Sequence, residues 1–341
     1  MAMKQLIHVV SFYFIIIVTL LTIQAFAPSS GCPPKENIFP QCTCTSGIVI
    51  SCKVGKIDEI PLWAFRGYTI SRLELTTYQE NDKFFPHSFM GLTIKFIELK
   101  SFQLKTLSLM EDFQGLEKSL TGLSVVTSKV DNITASELKQ ISQEFSLLVT
   151  LNMEGSKCLV NTAIQYIGIP NLKNFICTGR SGNENFKTVP SHLLADFTKL
   201  EKVELSGIGF QSIENNVFPS DARYLRIINL RDNNLQELDI HLFQRLPVLK
   251  EVYLQGNKLT SIDKSVFQPV WNQLTHLYLN CNSVVCDCQV AWILFSPKKP
   301  ANFIPPTCHG QSKIPNTAKF AGLILTDIDL EDLCPNWGQY F

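Results

Sequence analysis

The chain has 341 residues, 45% of them hydrophobic, and its 30 lysines and arginines balance 30 aspartates and glutamates. Zero net charge removes the electrostatic reason to expect nucleic acid or an anionic membrane as partner. One compact core rarely grows past roughly 250–300 residues, so the length implies two domains or a quasi-one-dimensional array.

In chain order, Lys4 precedes an apolar run from Leu6 to Ile23, and Ala25-Phe26-Ala27 supplies small residues at alternating positions. Charge, apolar core and small-residue site in that order predict a secretory signal peptide over residues 1–27. An uncleaved anchor is the alternative, raised by the length of the run and by Pro28 directly after the cut. No later stretch reaches the ~20 apolar residues that span a bilayer. The mature product is therefore expected to be secreted and extracellular.

All 11 cysteines follow the leader. Cys32, Cys42, Cys44 and Cys52 open the chain, in a block over 32–69 that carries its own apolar run, Ile48-Val49-Ile50. Cys286, Cys288, Cys308 and Cys334 close it, in a block over 286–335 that begins CDCQVAWIL. Secretion favours disulfides there. A metal site is disfavoured, because Cys-x-Cys is tighter than zinc spacing and no histidine pair completes a ligand set.

Between the blocks, residues 70–285 repeat. LRIINLRDNNLQEL from Leu225 and LKEVYLQGNKLTSI from Leu249 are near copies, and LTHLYLNCNSVV follows from Leu274. Weaker copies start at Ile70, Ile94, Leu120, Leu148, Leu172 and Leu200, so nine starts lie 24–28 residues apart. Alternation by two makes each copy a strand with Ile228 and Leu230 inward and Ile227, Asn229 and Arg231 outward. No turn can bury its apolar face alone, so the coils stack and their strands pair in parallel. Phe65, Phe89, Phe113, Phe218, Phe243 and Phe267 recur on the return path and are expected to fill the convex side of the core. Asn233, Asn257 and Asn282 supply a polar side chain where a turn leaves backbone groups unpaired. The matching upstream positions are Tyr78, Phe102, Ser128, Ser156, Arg180 and Ile208, so the earlier coils are expected to be less regular. The weakest copy is LKNFICTGRSG.

The pattern L-x-x-L-x-L-x-x-N-x-L and the two cysteine blocks resemble extracellular leucine-rich-repeat proteins with cysteine-rich flanks, across almost all of the mature chain. The resemblance implies an α/β solenoid: a curved array with a parallel sheet on its concave face and disulfide-bonded end caps. It also implies the pairs Cys32–Cys44, Cys42–Cys52, Cys286–Cys308 and Cys288–Cys334; spacing alone does not fix connectivity. Within the family, CPP…PQCTC and CDCQVAWIL are most similar to secreted arthropod proteins related to the non-catalytic subunit of a deep-sea shrimp luciferase. That closer likeness implies an accessory subunit of a secreted enzyme. Three cysteines remain: Cys158 and Cys177 either bridge or do not. Cys281 is expected to be a buried free thiol, with an intermolecular disulfide as the alternative.

Catalytic signatures are missing. There is no Gly-x-Ser-x-Gly, His-Glu-x-x-His, Gly-x₄-Gly-Lys or Gly-x-Gly-x-x-Gly, and the histidines are scattered. The reading is a protein that is not an enzyme, uses no cofactor or metal, and binds an extracellular protein through its outward strand residues. Arg231, Tyr253, Gln255, His276 and Tyr278 have the aromatic-plus-arginine character of interface hot spots. Asn132-Ile133-Thr134 is the sole N-glycosylation sequon, expected in an exposed turn after the third strand.

Overall fold

The structure, a computed structural model, describes residues 31–78, 84–85, 87–106, 112–126, 128–132, 145–155, 169–179, 187–189, 191–310 and 317–335. The leader, Cys158 and the Arg180-Ser181-Gly182 fragment lie outside them.

The alternation of apolar residues dictates the strands. In Arg72–Thr77, Leu73, Leu75 and Thr77 are buried and the residues between them are half-buried on the opposite face. Nine strands, at 72–77, 96–100, 122–126, 150–154, 174–178, 202–206, 227–229, 251–253 and 276–278, each begin two residues after a repeat start. They pair in parallel, in sequence order, within one 12-stranded sheet. Leu225, Leu249 and Leu274, just ahead of their strands, turn into the core and are buried. The return paths carry turns, three small two-stranded sheets and helices of three or four residues. The array is a β-solenoid with its continuous sheet on the concave face.

Its convex side is filled by phenylalanine. All six predicted residues are buried, and two consecutive pairs of rings touch, with Phe89–Phe113 centroids 5.6 Å apart and Phe243–Phe267 5.7 Å. Phe197 joins the row and packs on Phe175.

Each consensus asparagine ties two coils together. The Asn233 Oδ1 accepts from the N–H groups of Ile208, Gly209 and Phe210, and its Nδ2 donates to the carbonyls of Leu205 and Leu230. Asn257 and Asn282 repeat the arrangement one and two coils later. Ser128 does a smaller version of the job, accepting from Phe102 N–H and donating to the Val126 carbonyl. The weakest repeat also keeps its register, because Phe175 and Cys177 fill the inward positions. Its Gly179 lies against the backbone of Gly207, where a Cβ would come within 2.5 Å of the carbonyl oxygen.

The ends are closed as the core requires. At the N-terminus an antiparallel hairpin, Cys42–Thr45 with Val49–Val54, lays its second strand parallel to Arg72–Thr77. At the C-terminus Asn302–Ile304 adds a last parallel strand beside His276–Tyr278. All four flank disulfides join the implied pairs. Trp292 and Ile293 pack down on the final coil; the Trp292 indole meets Trp271 edge-on and donates to the Ile262 carbonyl.

Two expectations are corrected. Cys281 is a free thiol but is exposed, because it occupies the left-handed turn after the last repeat strand (φ 55°) and points away from the core. Asn132 ends a strand, Lys129–Asn132, paired with Gln103–Thr106, instead of lying in a turn. Cys177 is disulfide-bonded. Among the described residues no helix is long and apolar enough to cross a membrane.

Candidate concave-face interface

Parallel pairing in register arranges the outward side chains into rows that run along the array. The central row reads Ser51, Glu74, Glu98, Ser124, Asn152, Ile176, Glu204, Asn229, Tyr253, Tyr278 and Ile304. Neighbouring strands are ~4.8 Å apart, so adjacent members of a row interact directly.

At the N-terminal end the row places Glu74 beside Glu98, an arrangement of like charges that is destabilising unless compensated. Arg72 and Lys100 compensate it. Arg72 contacts Glu74 at 3.1 Å and Glu98 at 2.7 Å, while Lys100 contacts the same two carboxylates at 3.3 and 3.2 Å. Burial pushes the Glu74 carboxyl up, but the Ser51 hydroxyl, Lys100 and Arg72 outweigh it and hold it below the ordinary carboxylate range. Burial pulls Lys100 down, and Glu98 and Glu74 more than reverse that. The Arg72 guanidinium also lies 4.3 Å from the centre of the Phe96 ring. That ring covers the next strand at Gly122, where a Cβ would meet it at 2.3 Å. Every charge in this patch is already partnered within the chain.

In the middle of the face the central row, Ser124, Asn152 and Ile176, is uncharged. Asn152 donates to the Ser124 hydroxyl, and Asn174 to the Thr150 hydroxyl, from strand to strand.

The C-terminal end brings together all five predicted contact residues. The upper row is Ile227, Glu251, His276 and Asn302; the central row is Asn229, Tyr253, Tyr278 and Ile304. Arg231, Gln255 and Asn280 follow two positions later, just past the ends of those strands. Tyr253 and Tyr278 are half-buried and meet edge to face, centroids 5.0 Å apart. The Tyr253 hydroxyl donates to Glu251 Oε2 at 2.7 Å, and burial together with that carboxylate raises the phenol far above its ordinary range. His276 contacts the Thr275 hydroxyl through Nδ1 and the Asn302 amide through Nε2, which orients the ring. Arg231 turns toward Glu204 (3.9 Å) and Asp232 (3.7 Å). Gln255 Oε1 and Asn280 Oδ1 are shielded from solvent with no hydrogen-bond donor.

Residues 198–259 and 223–284 match the family described as Leucine rich repeat. Trophoblast glycoprotein of Mus musculus is 28% identical over 145 residues, an alignment that covers 40% of this chain and 32% of that protein. The chain thus spans about a third of the length of the curated relative it matches. The solved structure of human 5T4 (Wnt-activated inhibitory factor 1, trophoblast glycoprotein) is similar at a TM-score of 0.54 and 15% identity. It covers 87% of this chain and 99% of that one. A chain of the Drosophila Toll–Spatzle complex gives 0.46 at 19% identity, over 75% of this chain and 30% of that one. The likeness to the human structure establishes a shared fold, with disulfide-bonded flanks in the present chain.

The predicted contact set leaves out Glu251, which alternation puts on the face, and also Asn302 and Ile304. Their only signal is the short alternation Asn302-Phe303-Ile304, which stands in the cap and carries no leucine motif.

Proposed function

We propose that the chain is an extracellular, non-enzymatic leucine-rich-repeat protein that binds another protein through the C-terminal end of its concave face. Arg231, Tyr253, Gln255, His276 and Tyr278 are the contact set. The observation that carries this reading is the adjoining pair of half-buried tyrosines in the central row. Tyrosine and arginine dominate interface hot spots, and outward strand residues are free to serve a partner because the core does not depend on them. The N-terminal end of the face spends its charges on itself, which leaves the other end as the more available surface.

The compartment follows from the leader over 1–27 and from the disulfide-bonded caps at 32–69 and 286–335, since disulfides persist outside the cell. Asn132, in its sequon, is then a glycosylation site. A second reading, an accessory subunit of a secreted enzyme, is favoured by the flank motifs CPP…PQCTC and CDCQVAWIL and their resemblance to the non-catalytic luciferase subunit.

The test is quantitative binding to a partner purified from native extracellular fluid. Tyr253→Ala with Tyr278→Ala should weaken binding ~30-fold or more, the scale of a hot spot, with an unchanged circular dichroism spectrum. Unaltered affinity in that double variant removes the site. For the second reading, adding the chain back should restore an activity that its depletion had lowered.

A further inference from the structure

Glu251 differs from Glu74, Glu98 and Glu204 of the inner face. Those three each have a lysine or arginine within 4 Å. Among the described residues, Glu251 has the Tyr253 hydroxyl and, at 3.9 Å, His276 Nδ1, a ring that carries charge only when protonated. Its side chain keeps 28% of its surface exposed. The nearest arginine of the patch, Arg231, is turned to Glu204 and Asp232.

Beside Glu251 stand the rings of Tyr253 and Tyr278, half-buried and edge to face, with electronegative π faces. Gln255 Oε1 and Asn280 Oδ1, two positions beyond the tyrosines, are shielded from solvent and add no acceptor to the exposed surface. The patch therefore offers a negative charge beside π surface, within the reach of one long side chain.

We infer that the C-terminal concave patch is a subsite for an arginine side chain presented by the partner protein, with Glu251 as counter-ion and Tyr253 and Tyr278 as the stacking surface. A guanidinium is planar, stacks on aromatic rings and carries five N–H donors, which suits a carboxylate set beside a tyrosine pair. A lysine ammonium offers the charge without the fork or the plane. The inference rests on the concave-face reading above and gives it a partner chemistry.

Ligand-observed saturation-transfer NMR on the intact, disulfide-bonded chain tests it directly. The probes are acetyl-Gly-Arg-Gly-amide and its citrulline, lysine, glutamate and leucine counterparts. The arginine peptide should bind at least ~10-fold more tightly than citrulline, which keeps the shape and loses the charge, and more tightly than lysine. Glu251→Gln, which preserves an acceptor for the Tyr253 hydroxyl, should lower arginine binding about tenfold. Tyr278→Leu should lower it while citrulline binding stays unchanged. No binding of the arginine peptide, equal binding of citrulline, or indifference to Glu251→Gln overturns the inference. Preference for the leucine or glutamate peptide assigns the patch to another partner chemistry and overturns it too. Sedimentation showing a dimer dissolved by the same substitutions would assign the face to a second copy of the chain. The two failures are distinguishable. If Tyr253→Ala with Tyr278→Ala abolishes capture of the purified partner but arginine is not selected, only the subsite falls. If arginine is selected and capture is unaffected, the partner does not use the patch, and the concave-face reading falls together with the inference built on it.

Discussion

The asparagine ladder makes a ranked prediction that depends on which groups each side chain leaves behind. Asn233→Ala strips a shared acceptor from three N–H donors, Ile208, Gly209 and Phe210, and removes the side-chain donor from the Leu205 carbonyl. Asn257→Ala looks similar in the sequence but is milder. Of its two carbonyl partners, Leu230 keeps the Asn233 amide and Leu254 keeps the Asn282 amide, so only the Leu235 N–H is orphaned. A buried donor without a partner costs ~1–3 kcal/mol, and the loss of one of two bonds to a carbonyl costs less. The expected penalties are ~3–5 kcal/mol for Asn233→Ala and ~1–3 kcal/mol for Asn257→Ala. A repeat array need not unfold in one step. The assay is therefore native-state hydrogen exchange with disulfides intact, read at the named amides alongside urea denaturation. Protection should fall at Ile208, Gly209 and Phe210 in the first variant and at Leu235 in the second. If Asn257→Ala proves as costly as Asn233→Ala, the shared-carbonyl argument is wrong.

Four further outcomes are expected. Phe243→Ala removes a fully buried ring packed against Phe267 and should cost ~3–5 kcal/mol in urea denaturation; a loss under ~1 kcal/mol would mean the convex row is not structural. Because Glu74 is depressed, its contribution to stability is full above the unfolded value near 4.5 and is lost as pH falls through the lower folded value. Because Lys100 is raised, its contribution is full below 10.5 and is lost as pH climbs through the higher folded value. Glu74→Gln should therefore flatten the acid limb of melting temperature against pH, and an unaltered acid limb would count against the network. Gly122→Ala should displace the Phe96 ring from Arg72 and weaken the first coils, visible as faster exchange in Phe96–Lys100. Cys281 should react with an aromatic disulfide reagent in the native protein, and Cys281→Gly should remove that reaction while raising stability by up to ~1 kcal/mol through its left-handed turn.

The sheet was legible because its period is short and its inward positions are few. Leu225, Ile228 and Leu230 alone define a coil, and the same spacing located strands as irregular as Asn174–Thr178. The convex phenylalanines were legible for the same reason. Pairing of the flank cysteines came from family likeness, since four cysteines in a block leave three connectivities open. What escaped were features made by the meeting of distant residues. The strand Asn302–Ile304 completes the sheet only because the C-terminal cap folds back on it, and nothing in its three residues announces that. The exposure of Cys281 follows from a left-handed turn that its neighbours impose, not from its own preference. Alternation puts Glu251 outward, but its lack of a lysine or arginine partner depends on where Arg231 points, which the sequence leaves open.

The two ends of the concave face carry similar residue types and opposite electrostatic consequences. Each has carboxylates, an arginine and aromatic rings. At the N-terminal end Arg72 reaches across to the next strand, and Lys100 closes the set, so the field of four charges cancels locally. At the C-terminal end the equivalent upper-row position on the strand Glu251–Tyr253 is the carboxylate itself, and the next strand offers a histidine there instead of a guanidinium. The row position that holds Arg72 in the first repeat thus holds Glu251 in the eighth, and the basic group that would balance it is missing from the neighbouring coil. A surface that is self-sufficient gains little from a partner, because any new ion pair must replace one already made. A surface with a carboxylate that lacks a lysine or arginine partner and with rigid aromatic rings gains from both attraction and desolvation when the complementary group arrives. The same repeat, read once with its charges paired and once with them unpaired, gives one continuous sheet a self-sufficient end and the end proposed to bind a partner.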